Sequence, residues 1–203
     1  LRLQEIFASP SLQMASFTIT EKGYSLKNAQ GIFAADVEYD FENGPQQPKN
    51  IMAKLASLCL YRFQKGANPI ALVSMDNCSH NGTKLFEAVI AVAKKWAEKG
   101  FCTKDFISYL ENPQKVSFPW SMIDKITPRP DDSVKAQLER DGFEDTGIII
   151  TGKNTYTAPF VNAEEAQYLI IEDIFPNGRP PLEKGGIIFT DRETVDRVER
   201  MKV

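Results

Sequence analysis

The run Pro69-Ile70-Ala71-Leu72-Val73-Ser74-Met75 constrains the fold of this chain more than any other stretch. A short, continuous apolar run bounded by polar residues is expected of a strand buried on both faces. A polar loop follows it, Asp76-Asn77-Cys78-Ser79-His80-Asn81-Gly82. From Thr83 to Lys99, residues Leu85, Phe86, Val89, Ile90, Ala93 and Trp96 recur on one helical face, and Gly100 closes the segment. Strand, polar loop and amphipathic helix in that order make half of a βαβ unit, which argues for a parallel α/β sheet. Ligands of such sheets sit beyond the carboxyl ends of the strands, where this loop lies.

The remaining pattern agrees with that class. Residues 14–20 are rich in β-formers and run into the turn signal Glu21-Lys22-Gly23. Ile51, Leu55, Leu58 and Phe63 predict an amphipathic helix over 51–63, with Gly66 beyond its end. The prolines of the segment 118–128 make it loop or edge strand rather than helix. Gly147–Thr151, Thr155–Phe160 and Tyr168–Ile171 read as short β segments, and Ile187–Phe189 as one more before a final helix. Thr190 and Glu193 have the spacing of a capping box, and Val195, Val198 and Met201 follow at helical spacing. The pattern is still helical at Val203 and the first residue is Leu1, so the chain is expected to be a segment of a longer protein.

Charge narrows the partners. With 203 residues and a net charge of −3, no positive field for nucleic acid is visible. No apolar run reaches the length of a membrane span. Cys59, Cys78 and Cys102 are odd in number and lack the spacing of a zinc site or a disulfide framework, so reduced thiols, no metal and a cytoplasmic location are expected.

Several residues admit both a chemical and a structural role. The amides and carboxylate of the 76–82 loop could polarise a substrate carbonyl, or cap the helix that follows. His80 could be a general base, but spacing fixes no partner for it, and an exposed loop histidine is the better reading. Asp124, between Ile123 and Ile126, is either a partly buried functional carboxylate or a turn residue bonding its own backbone. Lys202 lies near the apolar edge of the last helix, as a desolvated acid/base or as a side chain snorkelling to water. Glu172-Asp173 and Glu164-Glu165 read as surface charge. No GxGxxG, P-loop, HExxH or GxSxG motif is present.

Five ordered stretches resemble the mannitol dehydrogenase family of polyol and hexuronate reductases. Phe17-Thr18-Ile19-Thr20-Glu21-Lys22-Gly23-Tyr24 is similar to its "TxTExGY" turn. Ser74–Gly82 resembles "SCDNxxxNG", and Phe118–Pro128 resembles "FPNSMVDRITP". Glu172–Pro180 resembles "EDxFxxGRP", and Glu199-Arg200-Met201-Lys202 resembles the helix that bears the family's lysine. The resemblance implies a Rossmann-like parallel sheet, incomplete at its N-terminal side, over residues 1–189. Residues 190–203 would begin a mostly helical substrate domain.

It also implies roles. Lys202 would be the general acid/base, Asn81 one arm of an oxyanion hole, and Asp124 a neighbour of the nicotinamide end that tunes the lysine. Thr20, Glu21, Asp76 and Asn77 would line the cleft of a bound NAD or NADP. The wording around Asp76 and the Gly-Arg-Pro-Pro-Leu-Glu run are nearest the fructuronate reductase branch, with mannitol 2-dehydrogenase and tagaturonate reductase as neighbours. The substrate would be a sugar acid or polyol. The family's glycine-rich first unit would precede Leu1, and its Asn and His beyond the lysine would follow Val203. Trp120 replaces the usual Asn, and Lys125 the usual Arg. The segment by itself is therefore expected to be inactive, and a non-catalytic binding module is the alternative of another class.

Overall fold

A computed structural model describes residues 2–125, 127, 129–163 and 167–201. Three strands, β1 (Met14–Phe17), β2 (Ile70–Ser74) and β3 (Val116–Ser117), form a parallel sheet with β2 in the middle. The register pairs Met14 with Ala71 and Phe17 with Ser74 on one side, and Ile70 with Val116 on the other. Every residue of β2 is buried, as its unbroken apolar run requires. The parallel α/β class is borne out.

Helices α1 (Arg2–Ala8), α2 (Ala35–Asn43), α3 (Ile51–Gln64), α4 (Asn81–Glu98) and α5 (Lys104–Glu111) accompany this sheet. The core gathers Met52, Leu55, Ala56 and Cys59 of α3, Leu85, Val89 and Trp96 of α4, and Phe106 of α5 around Ile70 and Leu72. Each Leu, Ile, Val, Met or Phe side chain among these contributes about 1.5–3 kcal/mol on leaving water. The buried stripe of α3 is rotated from the expected one: Ile51 is exposed and Met52 is buried, just after the Asn50 cap, whose side chain accepts from Met52 N at 2.9 Å. Helix α4 starts at Asn81, two residues before the expected Thr83, after His80 in a left-handed conformation with φ 52°.

One buried polar group holds the edge of this unit. The Arg62 guanidinium is fully buried and donates to the carbonyls of Phe7, Ser9, Leu12, Asn68 and Pro69 at 2.5–3.1 Å. It lashes the end of α1 and the lead into β1 to the start of β2, and burial pushes its pKa below the ordinary guanidinium value.

A second sheet is ordered β4 (Ser121–Lys125), β7 (Gln167–Glu172), β8 (Ile188–Thr190). Strands β7 and β8 are parallel, with Ile171 opposite Phe189. Helix α7 (Arg192–Met201) follows β8, and its cap is Asp191 rather than the expected Thr190: Asp191 Oδ1 accepts from Thr194 N at 2.8 Å. Among the described residues no helix is long and apolar enough to cross a membrane.

The chain divides into two compact units, Leu1–Ile123 with Leu169–Val203, and Asp124–Tyr168. The second contains α6 (Asp132–Arg140) and an antiparallel hairpin of β5 (Ile149–Ile150) and β6 (Tyr156–Thr157). The β segments expected at 147–151 and 155–160 thus contract to two residues each. Asp131 caps α6 through Ser133 N at 2.8 Å, and its own N–H donates to Asn162.

Candidate active site at the strand ends

Parallel strands β1 and β2 deliver their following loops to the same end of the sheet. After β1 come Thr20 and a 3-10 turn over Glu21–Tyr24; after β2 comes the 76–82 loop. Tyr24 fastens the two. Its buried hydroxyl donates to Asp76 Oδ2, and Ser74 Oγ lies 2.8 Å from the hydroxyl oxygen. Burial, then the Asp76 contact, pushes the phenol well above its ordinary pKa, so it stays a proton donor. Asp76 Oδ1 accepts from Cys78 N at 3.0 Å, which fixes the loop's first turn. Lys84 of α4 reaches Glu21 at 3.5 Å and Cys78 Sγ at 3.0 Å. The Cys78 contact leads the causes that raise the Lys84 pKa.

The structure thus brings Glu21, Asp76 and Asn77 to one end of the sheet, beside exposed Thr20. The Asn77 side chain is exposed on the same loop. A groove of about 720 Å³ opens beside Glu21, lined among others by Tyr24, Leu26, Phe33, Lys84 and Ala88.

Asn81 differs from what the sequence suggests. It is fully buried, and its amide NH2 lies within 3.0–3.5 Å of Ser121 Oγ and of the carbonyls of Ser74, Asp76 and Ser121. Its Oδ1 accepts from Gly82 N at 2.8 Å and from Ser121 N at 3.1 Å. Two N–H groups facing four acceptors leave no donor for a substrate oxygen. In this structure the amide pins the end of β2, the start of α4 and the start of β4 together. Gly82 makes the same junction possible, since a Cβ there would lie 2.3 Å from Phe118 O and 2.8 Å from Pro119 O.

Beyond this junction the loop meets α7. Ser79 Oγ donates to Glu199 at 2.8 Å, His80 N donates to the same carboxylate at 3.0 Å, and His80 Nε2 lies 3.1 Å from Asp196 Oδ1. The His80 ring stacks on Trp120 with centroids 4.2 Å apart, so this exposed loop histidine has partners that spacing did not show. Trp120 Nε1 donates to Thr83 Oγ1, and the Arg192 guanidinium lies 5.0 Å from its ring.

Glu172 corrects another expectation. Instead of surface charge it is buried, pairs with Arg192 at 2.9 and 3.1 Å, and accepts from Trp120 N at 3.1 Å. Its neighbour Asp173 is exposed, and Arg179 is its partner. Asp124 lies half-buried on β4, at the first residue of the second compact unit. Lys202 lies outside the described residues, as do Glu164 and Glu165.

The family model described as the mannitol dehydrogenase Rossmann domain matches residues 3–184. The D-mannonate oxidoreductase of Thermotoga maritima is 52% identical over 204 residues, covering 100% of this chain and 38% of that protein. The polyol:NADP oxidoreductase of Gluconobacter oxydans is 30% identical over 91% of this chain and 35% of its own length. Among solved structures, the Pseudomonas fluorescens mannitol 2-dehydrogenase ternary complex with NAD and D-mannitol superposes with a TM-score of 0.64. That likeness has 29% identity and covers 99% of this chain and 37% of the other. The chain thus spans little more than a third of the length of these relatives. With residues 3–184 matched by the family model and a parallel sheet whose loops carry the family's turn signatures, the chain belongs to the mannitol dehydrogenase family.

Proposed function

We propose that the protein carrying this chain is an NAD(P)-dependent oxidoreductase that interconverts fructuronate and mannonate. The observation that carries this reading is the 52% identity to a D-mannonate oxidoreductase across the whole chain. The side chains at the strand ends suit part of a nicotinamide dinucleotide: the Thr20 hydroxyl, the Asp76 carboxylate and the Asn77 amide can bond ribose hydroxyls and a carboxamide. Glu21 joins that cofactor-lining set. They do not suit the pyrophosphate, for which the chain offers no glycine-rich cradle.

Held along Thr20, Glu21, Asp76 and Asn77, a reduced nicotinamide would supply the hydride for the ketone carbon. Lys202, as general acid, gives its proton to the oxygen that becomes the new hydroxyl; in the reverse direction it takes that proton back. An amide donor on the same oxygen offsets its developing charge, and Asn77 takes this role because its side chain is exposed while that of Asn81 is committed. Tyr24 keeps Asp76 oriented as an acceptor. Asp124 tunes the lysine through its charge.

A second reading has a polyol in place of the sugar acid, favoured by the likeness to the mannitol 2-dehydrogenase complex. Tagaturonate reduction is the other near neighbour in chemistry. Loss of reduced-nicotinamide absorbance is followed with the complete gene product and fructuronate, tagaturonate or fructose, using NADH and NADPH in turn. Fructuronate is expected to give the highest kcat/KM. A higher value with fructose would overturn the sugar-acid reading in favour of the polyol one. A polypeptide limited to these 203 residues is expected to turn over none of them.

A further inference from the structure

His80, Asp196 and Glu199 bring an imidazole and two carboxylates together from segments 116 and 119 residues apart, so no motif in the sequence announces the group. Their ligand atoms all lie within 4.8 Å of one another. His80 Nε2 is 3.1 Å from Asp196 Oδ1 and 3.7 Å from Glu199 Oε2. A zinc-class ion binds nitrogen at about 2.0–2.1 Å and carboxylate oxygen at about 2.0–2.2 Å, so tetrahedral geometry separates neighbouring donors by about 3.3 Å. The two measured edges fall on either side of that value. We propose that His80, Asp196 and Glu199 form a binding site for a first-row divalent transition cation of the zinc and cobalt class.

The surroundings support the three ligands as a built group. Asp196 and Glu199 are three residues apart on α7 and so share a face of the helix. The Glu199 side chain is only 5% exposed, and its carboxylate accepts from Ser79 Oγ and His80 N. Asp196 turns Oδ1 to the imidazole while its other oxygen is held by Arg200. The His80 ring is stacked on Trp120, which leaves Nε2 directed at α7. Outer-shell bonds of this kind orient ligands before an ion arrives. One nitrogen and two carboxylate donors favour the borderline transition ions over magnesium or calcium, which take oxygen donors in larger numbers. Water would complete the shell on the exposed side of His80. Such an ion would cross-link the loop after β2 to α7. The site stands independently of the substrate reading above.

The test uses the complete gene product stripped with a chelator and titrated with Co2+ under anaerobic conditions. A single equivalent is expected to give visible d–d bands of low-coordinate cobalt without thiolate charge transfer, and Zn2+ is expected to displace it. His80→Gln and Asp196→Asn should each weaken binding by more than about 10-fold, and Ser79→Ala by about 10-fold through the outer shell. Circular dichroism of the metal-free variants checks that each is folded. Absence of d–d bands in the unsubstituted protein overturns the proposal. So does cobalt binding that survives both ligand substitutions unchanged, or a charge-transfer band that moves the ion to Cys78.

Discussion

Asn81 and Asn77 carry the same amide four residues apart, and the fold assigns them opposite duties. Asn81 is buried among Ser74, Asp76 and Ser121, whereas Asn77 faces solvent at the end of the sheet. Asn81→Ala would strand Ser121 N and take a donor from the Asp76 and Ser121 carbonyls, so it is expected to lower stability by about 3 kcal/mol, read from denaturant midpoints. Asn77→Ala is expected to leave stability within about 0.5 kcal/mol. Its loss should fall on kcat, by about 100-fold or more in the complete gene product, as for an oxyanion donor. An intact fold in Asn81→Ala combined with a large drop in kcat would reverse the assignment. At this scale the sequence was legible in type but not in direction. It shows that amides and a carboxylate cluster after β2, but which amide turns inward depends on Ser121, 40 residues away. Glu172 was misread for the same reason: its partners Trp120 and Arg192 are not its neighbours in sequence.

Elements are legible where one face is apolar and opaque where none is. The β2–loop–α4 unit stands out because β2 is wholly buried and α4 sets Leu85, Val89 and Trp96 on one side. Helix α6 buries no side chain and therefore shows no stripe, and α2 buries only Val37, Asp40 and Phe41. What starts a helix is equally local and can be tested. Gly82→Ala would ordinarily favour α4 by about 1 kcal/mol. Here the added Cβ meets two backbone carbonyls, which cannot rotate away as a side chain could. A net loss of about 1–3 kcal/mol is expected, visible as a lower thermal midpoint. At α6 the cap is Asp131, whose pKa is held below the ordinary carboxylate value by the Ser133 side chain and then by backbone N–H groups. A depressed folded-state pKa gives stabilisation that is complete above the unfolded carboxylate range and is lost as pH falls through the folded value. Fraying of α6 on acidification is therefore expected. Asp131→Asn, which keeps the cap without titrating, should make the helix insensitive to that change when its amides are followed by NMR.

For the whole molecule, the parallel sheet was legible from one apolar run, and the family resemblance extended that reading along the chain. The partition of burial was not. Leu1–Ile123 with Leu169–Val203 contains both hydrophobic clusters, centred on Met52, Leu72 and Trp96 in one and Val73 and Ile171 in the other. Within Asp124–Tyr168, Thr146 is the one buried residue among those described, and Phe143, Ile148, Ile149 and Ile150 are exposed. Composition hides this, because a run of three isoleucines reads as core when its neighbours in space are unknown. Local stability follows burial, since opening a segment costs the apolar contacts and shielded hydrogen bonds it gives up. Native-state hydrogen exchange of the 203-residue chain should therefore find the amides of β2 and α4 slowest. Those of α6 and the β5–β6 hairpin should exchange faster by on the order of 1,000-fold after correction for intrinsic rates. Equal protection in both units would mean that the hairpin's bonds open only with the core, and burial would then be the wrong guide to how this chain comes apart.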